Sequence, residues 1–387
     1  MSRILGPLAA IMAAMVAFPS TAFAYYGSPF ATCAWHVVTS PNPFADQNVL
    51  NAVAATSATD AWAVGRTTNP NDGSIQPVAM HWNGKAWSLV STPSVASANL
   101  IGVKEITPTD VWAVGLYYDT NNGQLQAFAE HWDGATWTAF TPPSLGVGTN
   151  VLNAVVANST SDVWAFGRYV NTSGLNSTLA EHWNGSTWSV VTTPNEGSLD
   201  TVFTSGVANG TSNVWAAGAY NCNTGSCQTF AERWNGLKWK IVATPDQNLN
   251  SNPLNAMSSN GSKDMWAIGD YYTGSTFNTL AEHWNGTAWS IVTSPNMGLT
   301  ALLGSAAVNT RDVWAVGFYQ NGSIDDPYSM TWNGSAWSTV LPPTVGTSGA
   351  LLDSAARIPG TMTLWSVGGS LNSNGSFHDN LVEKFHC

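Results

Sequence analysis

The feature that most constrains this chain is a hexapeptide, Asp60-Ala-Trp-Ala-Val-Gly65, that returns along its length. Further copies stand at 110–115, 162–167, 213–218, 264–269 and 312–317, and a weaker one runs from Leu364 to Gly368. Their tryptophans, Trp62, Trp112, Trp164, Trp215, Trp266, Trp314 and Trp365, lie 48 to 52 residues apart. Self-similarity at that period marks a repeat architecture, in which one unit cannot bury its own faces and must stack on its neighbours.

Each unit has the same internal grammar. About twelve residues before the tryptophan stands a short apolar segment such as Leu50-Asn-Ala-Val53, Leu152-Asn-Ala-Val155 or Leu254-Asn-Ala-Met257. A polar loop of variable length follows the hexapeptide, then an Ala-Glu-His-Trp strand, then Asn-Gly-x-x-Trp-Ser. Asn-Gly between apolar runs is a strong hairpin signal, because a type I′ turn requires positive φ at both central residues. The runs are four to eight residues long, rich in β-branched and aromatic side chains, with no 3.6-residue period, so the unit reads as four short strands, A to D, and no helix. Four antiparallel strands per repeat are the grammar of a propeller blade. The chain is therefore expected to be an all-β, seven-bladed β-propeller, with blades at about 50–93, 100–142, 152–194, 203–245, 254–295, 302–342 and 351–387.

The last unit stops at Val382-Glu-Lys-Phe-His-Cys387 and has no strand D of its own. Its missing strand stands at the other end of the chain. Cys33-Ala-Trp35-His-Val-Val-Thr-Ser-Pro41 aligns with Lys85-Ala-Trp87-Ser-Leu-Val-Ser-Thr-Pro93, so residues 33–41 complete blade 7. In that register Cys387 replaces Gly84 and Cys33 replaces Lys85, two chain neighbours in a complete blade, which predicts a Cys33–Cys387 disulfide. Closing so long a loop stabilises by roughly 6 kcal/mol in the chain-entropy model, as an upper estimate. Cys222 and Cys227 are expected to form a local clip in the B-to-C loop of blade 4, since no further Cys or His stands at zinc spacing.

Composition narrows the setting. Arg3, an apolar run to Phe18 and the small residues Ala22 and Ala24 read as a secretory leader over residues 1–24, ahead of a single domain over 25–387. No later stretch is apolar enough to span a membrane. Export agrees with paired cysteines and with a surface wetted by Asn, Ser, Thr and Gly rather than by charge, only 9% of residues being charged. The net charge of −11 argues against nucleic acid and anionic lipid as partners, which need clustered positive charge. Carbohydrate or a surface protein remains as the expected partner, and the protein is expected to act as a monomer.

Repetition also decides which residues are structural. Of the 20 Trp, all but Trp35 occupy fixed positions in the repeat, and the split blade absorbs that one, so they are read as core. The recurrent Glu-His pairs, Glu130-His131, Glu181-His182 and Glu282-His283, with Glu232-Arg233 and Glu383-Lys384 as variants, are read as structural networks. They are expected to bridge strands or to cap the A-to-B turn beside Asp60, Asp110, Asp162, Asp264 and Asp312, because a functional site would occur once.

In a propeller the A-to-B and C-to-D turns share one end of the ring, and the B-to-C and D-to-A connections share the other. Here the first set is short and repetitive, whereas the second differs in every blade, which makes the variable end the expected place for binding. Tyr117, Tyr169, Tyr220, Tyr271 and Tyr319 each follow the strand-B Gly by two residues and are the candidate ligand contacts there, with Tyr118 and Tyr272 beside two of them. One-off acids at the same end, Asp46, Asp72, Asp119, Glu196, Asp200, Asp246, Asp270, Asp325, Asp326 and Asp379 with His378, are the candidates for hydrolase or lyase chemistry. No nucleophile elbow, zinc helix, phosphate loop or dinucleotide fingerprint is present, and no cofactor or metal is expected.

The units Asp-Val-Trp-Ala-Val-Gly and Glu-His-Trp-Asn-Gly-x-x-Trp resemble a family of exported bacterial repeat propellers, over Cys33 to Cys387. They are loosely similar to the Kelch/galactose-oxidase and lectin-type groups. The Kelch Gly-Gly doublet occurs only at Gly368-Gly369, and the marks of WD40 blades are missing, so no catalytic residue carries over. The resemblance implies the fold, and with near-identical blades the expected function is non-catalytic carbohydrate recognition on the variable-loop face. A polysaccharide-acting hydrolase or lyase, or a cell-surface interaction scaffold, are the alternatives.

Overall fold

The computed structural model of this chain describes residues 33–387, apart from 46, 96, 223–225, 248, 249, 347 and 374. The leader at 1–24 and the candidate Asp46 lie outside the described residues.

Seven four-stranded antiparallel sheets form the ring, and the described residues contain no α-helix. Blade 1 consists of strand A (Asn48–Ser57), strand B (Asp60–Thr68), strand C (Ile75–Trp82) and strand D (Trp87–Val90). Blade 2 repeats the order with Ala98–Thr107, Asp110–Asp119, Gln124–Trp132 and Trp137–Phe140. Strands A and B reach ten residues, longer than the apolar runs suggest, while strand D keeps three or four. Strand B shows no polar/apolar alternation, and 110–115 are buried throughout, because a neighbouring blade covers each face of the sheet.

The seams between blades are built from indole. Trp62 of blade 1 meets Trp132 and Trp137 of blade 2 at ring distances of 5.0 and 5.1 Å. Trp112, Trp164, Trp215 and Trp266 repeat the arrangement against the hairpin tryptophans of the following blade. Sixteen of the 20 Trp are buried and the other four half-buried. Removing one such side chain from water stabilises by very roughly 4 to 6 kcal/mol before entropy, which no other residue of so small a blade matches.

Closure of the ring reuses that seam. Ala34–Val37 pairs with the C-terminal strand Phe377–His386 in the register Trp35↔Phe385. The Trp35 ring lies 5.6 Å from Trp314 of blade 6 and 5.5 Å from Phe385, and its Nε1 donates to Ser329 Oγ at 2.9 Å. Trp365 then meets Trp82 and Trp87 of blade 1 at 5.0 and 5.2 Å. The Cys33–Cys387 disulfide, with its Cα atoms 3.9 Å apart, joins the ends, and Cys222–Cys227 forms the local clip.

The Asn-Gly turns differ from the expected type I′. Trp82 pairs directly with Trp87, so the loop has four residues, and of Asn83 and Gly84 only Gly84 has positive φ, at 90°. Asn83 serves through its side chain instead, with Oδ1 accepting from the backbone N–H of Lys85 and Ala86. A four-residue loop needs one left-handed position rather than two, and the amide caps the remainder.

The glycine that ends the hexapeptide has a packing origin. Each strand A carries a β-bulge after the residue paired with that glycine, as at Leu50/Ala52 against Gly65 and Leu100/Gly102 against Gly115. The bulge carries a strand-A carbonyl over the glycine: a Cβ on Gly65 would collide with Val49 O, and one on Gly115 with Asn99 O. The same collision awaits Gly167, Gly218, Gly269, Gly317 and Gly368.

Gly115→Ala is accordingly expected to destabilise by about 3 kcal/mol or more on denaturant unfolding, against about 1 to 2 for Gly123→Ala, where φ is 71° but the nearest atom, Tyr118 Oη, is 3.7 Å from the new Cβ. Equal effects would remove the bulge from the account. Replacing Cys33 and Cys387 together with Ser should lower the melting temperature more than replacing Cys222 and Cys227, because the first pair closes 354 residues and the second five.

Candidate ligand-binding site

The five candidate tyrosines do not form one platform. Tyr117, Tyr169, Tyr220, Tyr271 and Tyr319 are half-buried, each in a different inter-blade seam. Tyr117 lies against Phe128, Tyr220 against Phe230 and Tyr319 against Tyr328, with ring distances of 6.0 to 6.2 Å. Of their two neighbours, Tyr118 is 42% exposed, while the Tyr272 hydroxyl donates to Gly274 O.

Most of the one-off acids are committed to loop geometry. Asp72 and Asp119 accept from backbone N–H groups two residues on. Asp200 receives the backbone and side-chain amides of Asn176, and Asp246 the backbone N–H of Thr229. Asp326 is buried and accepts from Asn321, while Asp379 holds Asn42 and sits 3.0 Å from His378. Asp270 is not on the variable surface: it is buried and takes Asn255 Nδ2 at 2.9 Å. Asp325 and Asp326 are consecutive on one strand, so their side chains leave opposite faces of the sheet. Among the described residues no group of three or more His, Cys, Asp or Glu is placed to hold a metal ion.

The Glu-His repeats divide into two roles. His81, His131, His182 and His283 place Nε2 at 2.7 to 2.9 Å from Asp60, Asp110, Asp162 and Asp264, and so brace the A-to-B turn as expected. Arg233 and Lys384 at the same position lie over Trp215 and Trp365. The glutamates, by contrast, bridge and cap nothing. Glu130, Glu181, Glu232, Glu282 and Glu383 point the other way, into the preceding seam, fully buried and without hydrogen-bond partners. Burial raises Glu130, Glu181 and Glu383 to about 8, Glu232 to about 9 and Glu282 well above the usual range. Blades 1 and 6 carry Met80 and Met330 at this position, equally buried, which identifies it as a core position.

The axis of the ring is lined by residues outside these motifs. The bulge in each strand A re-aims one side chain toward it: Asn51, Ile101, Asn153, Thr204, Asn255, Leu303 and Asp353. Four of them reach the next blade. Asn51 donates to Leu100 O, Asn153 to Phe203 O, Thr204 to Leu254 O and Asn255 to Leu302 O, at 2.6 to 2.9 Å. They line a narrow channel of about 210 Å³ in which Asp353 is the only ionisable side chain, its carboxyl raised to about 7 by burial.

Toward the short-turn end this channel widens into a cavity of about 650 Å³. Its wall is neutral and polar (Asn209, Ser259, Asn260, Asn309, Thr310) with Val156, Val207 and Val308 between, and it holds two cations, Lys104 and Arg357. The hollows at the variable end are smaller, about 320 Å³ beside Pro77 and Pro93 of blade 1 and about 230 Å³ between blades 7 and 1. Lys104 has its pKa lowered by burial, opposed by the charge of Glu105 and then reinforced by Arg357. Glu105 faces blade 1, receives Thr56 Oγ1 at 2.6 Å, and is raised to about 8 chiefly by burial.

Lys104, Glu105 and Arg357 were legible as breaks in the repeat. The strand-A position opposite the hexapeptide Trp holds Ala54, Val156, Val207, Ser258, Ala306 and Ala356 in the other blades, and Lys only at 104. The next position holds Ala or Ser except for Glu105 and Arg357.

No protein-family model matches the chain, nor does any curated protein. Among solved structures it is similar to YCF48 bound to a D1 peptide, at 13% identity over 91% of this chain and 95% of that one, TM-score 0.54. It is likewise similar to a protein of unknown function from Dyadobacter fermentans, at 11% identity over 92% and 98%, TM-score 0.50. A third is an ulvan lyase of polysaccharide lyase family PL25 bound to GlcA(1-4)Rha3S, at 10% identity over 87% and 94%, TM-score 0.54. At these identities the likeness supports the propeller fold.

The buried glutamates generate a pH prediction. With an unfolded value near 4.5 and a folded value of about 8, Glu130, Glu181 and Glu383 bind their protons more tightly in the native state, and burial acts in the same direction on Glu232 and Glu282. Stability is full below about pH 4.5 and declines as pH rises to about 8, by up to roughly 1.4 kcal/mol per pH unit and group. Glu130→Met, which copies blades 1 and 6, should raise stability more at pH 8 than at pH 4.5, by up to roughly 5 kcal/mol, read as a melting-temperature gain that grows with pH. A loss at pH 8 would show the carboxylate to be stabilised where it sits.

Proposed function

We propose that this chain is an exported, monomeric, non-catalytic binding protein that recognises carbohydrate. One observation carries the reading: at the short-turn end the axis opens into a cavity of about 650 Å³ walled by amides, hydroxyls and short aliphatic side chains beside Lys104 and Arg357. Such a wall suits a sugar, whose hydroxyls need donors and acceptors and whose ring C–H faces need apolar contact. On this reading recognition belongs to the axial opening of the short-turn end rather than to the tyrosines of the variable end. Neighbours of the same fold support a binding role, one being bound to a peptide and another to a saccharide. Export is supported by the leader pattern at 1–24 and by two disulfides, which persist in oxidising compartments. The blade grammar supports a place among exported bacterial repeat propellers.

An enzyme acting on polysaccharide is the second reading, favoured by the lyase neighbour and by the exposed His378–Asp379 pair.

Retention of the purified mature chain on a panel of immobilised polysaccharides tests the first reading. At least one should bind with a Kd in the micromolar to millimolar range and be recovered with no new chain ends. Retention of none would overturn it. New chain ends that vanish in Asp325→Asn, Asp326→Asn, His378→Ala or Asp379→Asn would establish the enzyme instead.

A further inference from the structure

Charge is distributed unevenly between the two ends of the ring. Among the described residues only Arg66 and Arg168 stand at the variable end as basic groups, and every other Lys or Arg lies toward the short-turn end. The loop acids Asp72, Asp119, Asp200, Asp246 and Asp379 occupy the variable end. At the short-turn end Asp60, Asp110, Asp162 and Asp264 are paired with histidines, Asp312 accepts from Trp314 Nε1, and Asp133 accepts from the backbone N–H groups of Ala135 and Thr136. A chain of net charge −11 thus gathers nine of its eleven described Lys and Arg at the end of the ring that holds the axial opening.

At the centre of that end stand Lys104 and Arg357, lining one cavity whose wall contains no acidic side chain. They come from blades 2 and 7, on either side of blade 1, and both replace small residues of the repeat. Arg357 leans on Val308 O at 3.4 Å, and among the described residues it has no carboxylate partner and Lys104 has no hydrogen bond or ion pair to any acid. Glu105, next to Lys104 in sequence, is buried on the opposite face of strand A and engaged with Thr56. Two cations brought to one partly desolvated wall repel each other, and an anion between them relieves that repulsion. Ammonium and guanidinium together present several N–H donors to carboxylate or sulfate oxygens.

We propose that the axial opening is a site for an acidic saccharide, with Lys104 and Arg357 holding the carboxylate or sulfate of one sugar residue and the amide and hydroxyl wall holding its neutral hydroxyls. This rests on the carbohydrate reading above and names the class of sugar. The positive end of the ring draws an anionic polysaccharide toward the opening, and the opposite, acidic end repels it.

Lys104→Val and Arg357→Ala restore the residues found at the same positions in blade 3, Val156 and Ala157, so both are expected to fold, which melting curves check. Isothermal titration with oligogalacturonate, a sulfated dextran, neutral dextran and poly-glutamate reads the site. The wild-type chain should bind oligogalacturonate or the sulfated dextran at least tenfold more tightly than neutral dextran, more weakly as salt rises. Each substitution should reduce that affinity about tenfold and the pair about a hundredfold, leaving neutral dextran unchanged. Equal binding of acidic and neutral glycans, or full acidic binding in the double variant, overturns the acidic-sugar assignment while the carbohydrate reading survives. Tighter binding of poly-glutamate than of any saccharide assigns the cations to a peptide and overturns it too. Failure of every saccharide removes both readings.

Discussion

A four-stranded blade of about fifty residues has two apolar faces and no third layer to cover them, so the whole molecule depends on one blade wedging its indoles against the next. The strand-B tryptophan supplies the wedge, and the paired tryptophans of the following hairpin supply the slot. The same geometry recurs at every seam, including the one assembled from both chain ends, where Trp35, Trp314 and Phe385 stand in for the usual set. A ring of such wedges has no free face only when it closes. That is why the terminal strand and its disulfide belong to the same packing problem as the interior blades.

The inner edge follows from the outer packing. Seven strands converging on an axis need room, and the bulge in each strand A takes up that crowding by re-aiming one side chain inward. The glycine of the hexapeptide leaves space for the bulged carbonyl, and the inward Asn51, Asn153 and Asn255 then tie blade 1 to 2, 3 to 4 and 5 to 6 around the axis. A motif residue at the sheet's interior thereby controls the polarity of the channel, and through it the chemistry of the opening.

Buried carboxyls in five seams act against stability at neutral pH, and the methionines of blades 1 and 6 show that the position accepts an apolar side chain. The histidines next to them in sequence have the opposite fate, half exposed and paired with aspartate. Adjacent residues of one strand thus face different environments, a consequence of the two-residue period of a sheet with both faces covered. Charge at the axial opening follows the same rule: Lys104 and Glu105 are neighbours in sequence, yet one lines the cavity and the other is sealed against blade 1.

Much of this was legible in residue order alone. The period of the tryptophans determined the number of blades, the truncated last unit and the orphan strand at 33–41 determined how the ring closes, and the cysteine register determined the latch, because each is a local pattern with one packing solution. The candidate site was not legible to the same degree. Tyr117 and its counterparts share a spacing that points to a common surface, yet each sinks into its own seam, since a ring distributes equivalent residues around an axis instead of gathering them. Lys104 and Arg357 lie 253 residues apart and carry no motif, only a departure from the repeat. Their meeting at one wall is decided by tertiary structure, because only closure of the ring brings blade 7 around to stand one blade away from blade 2.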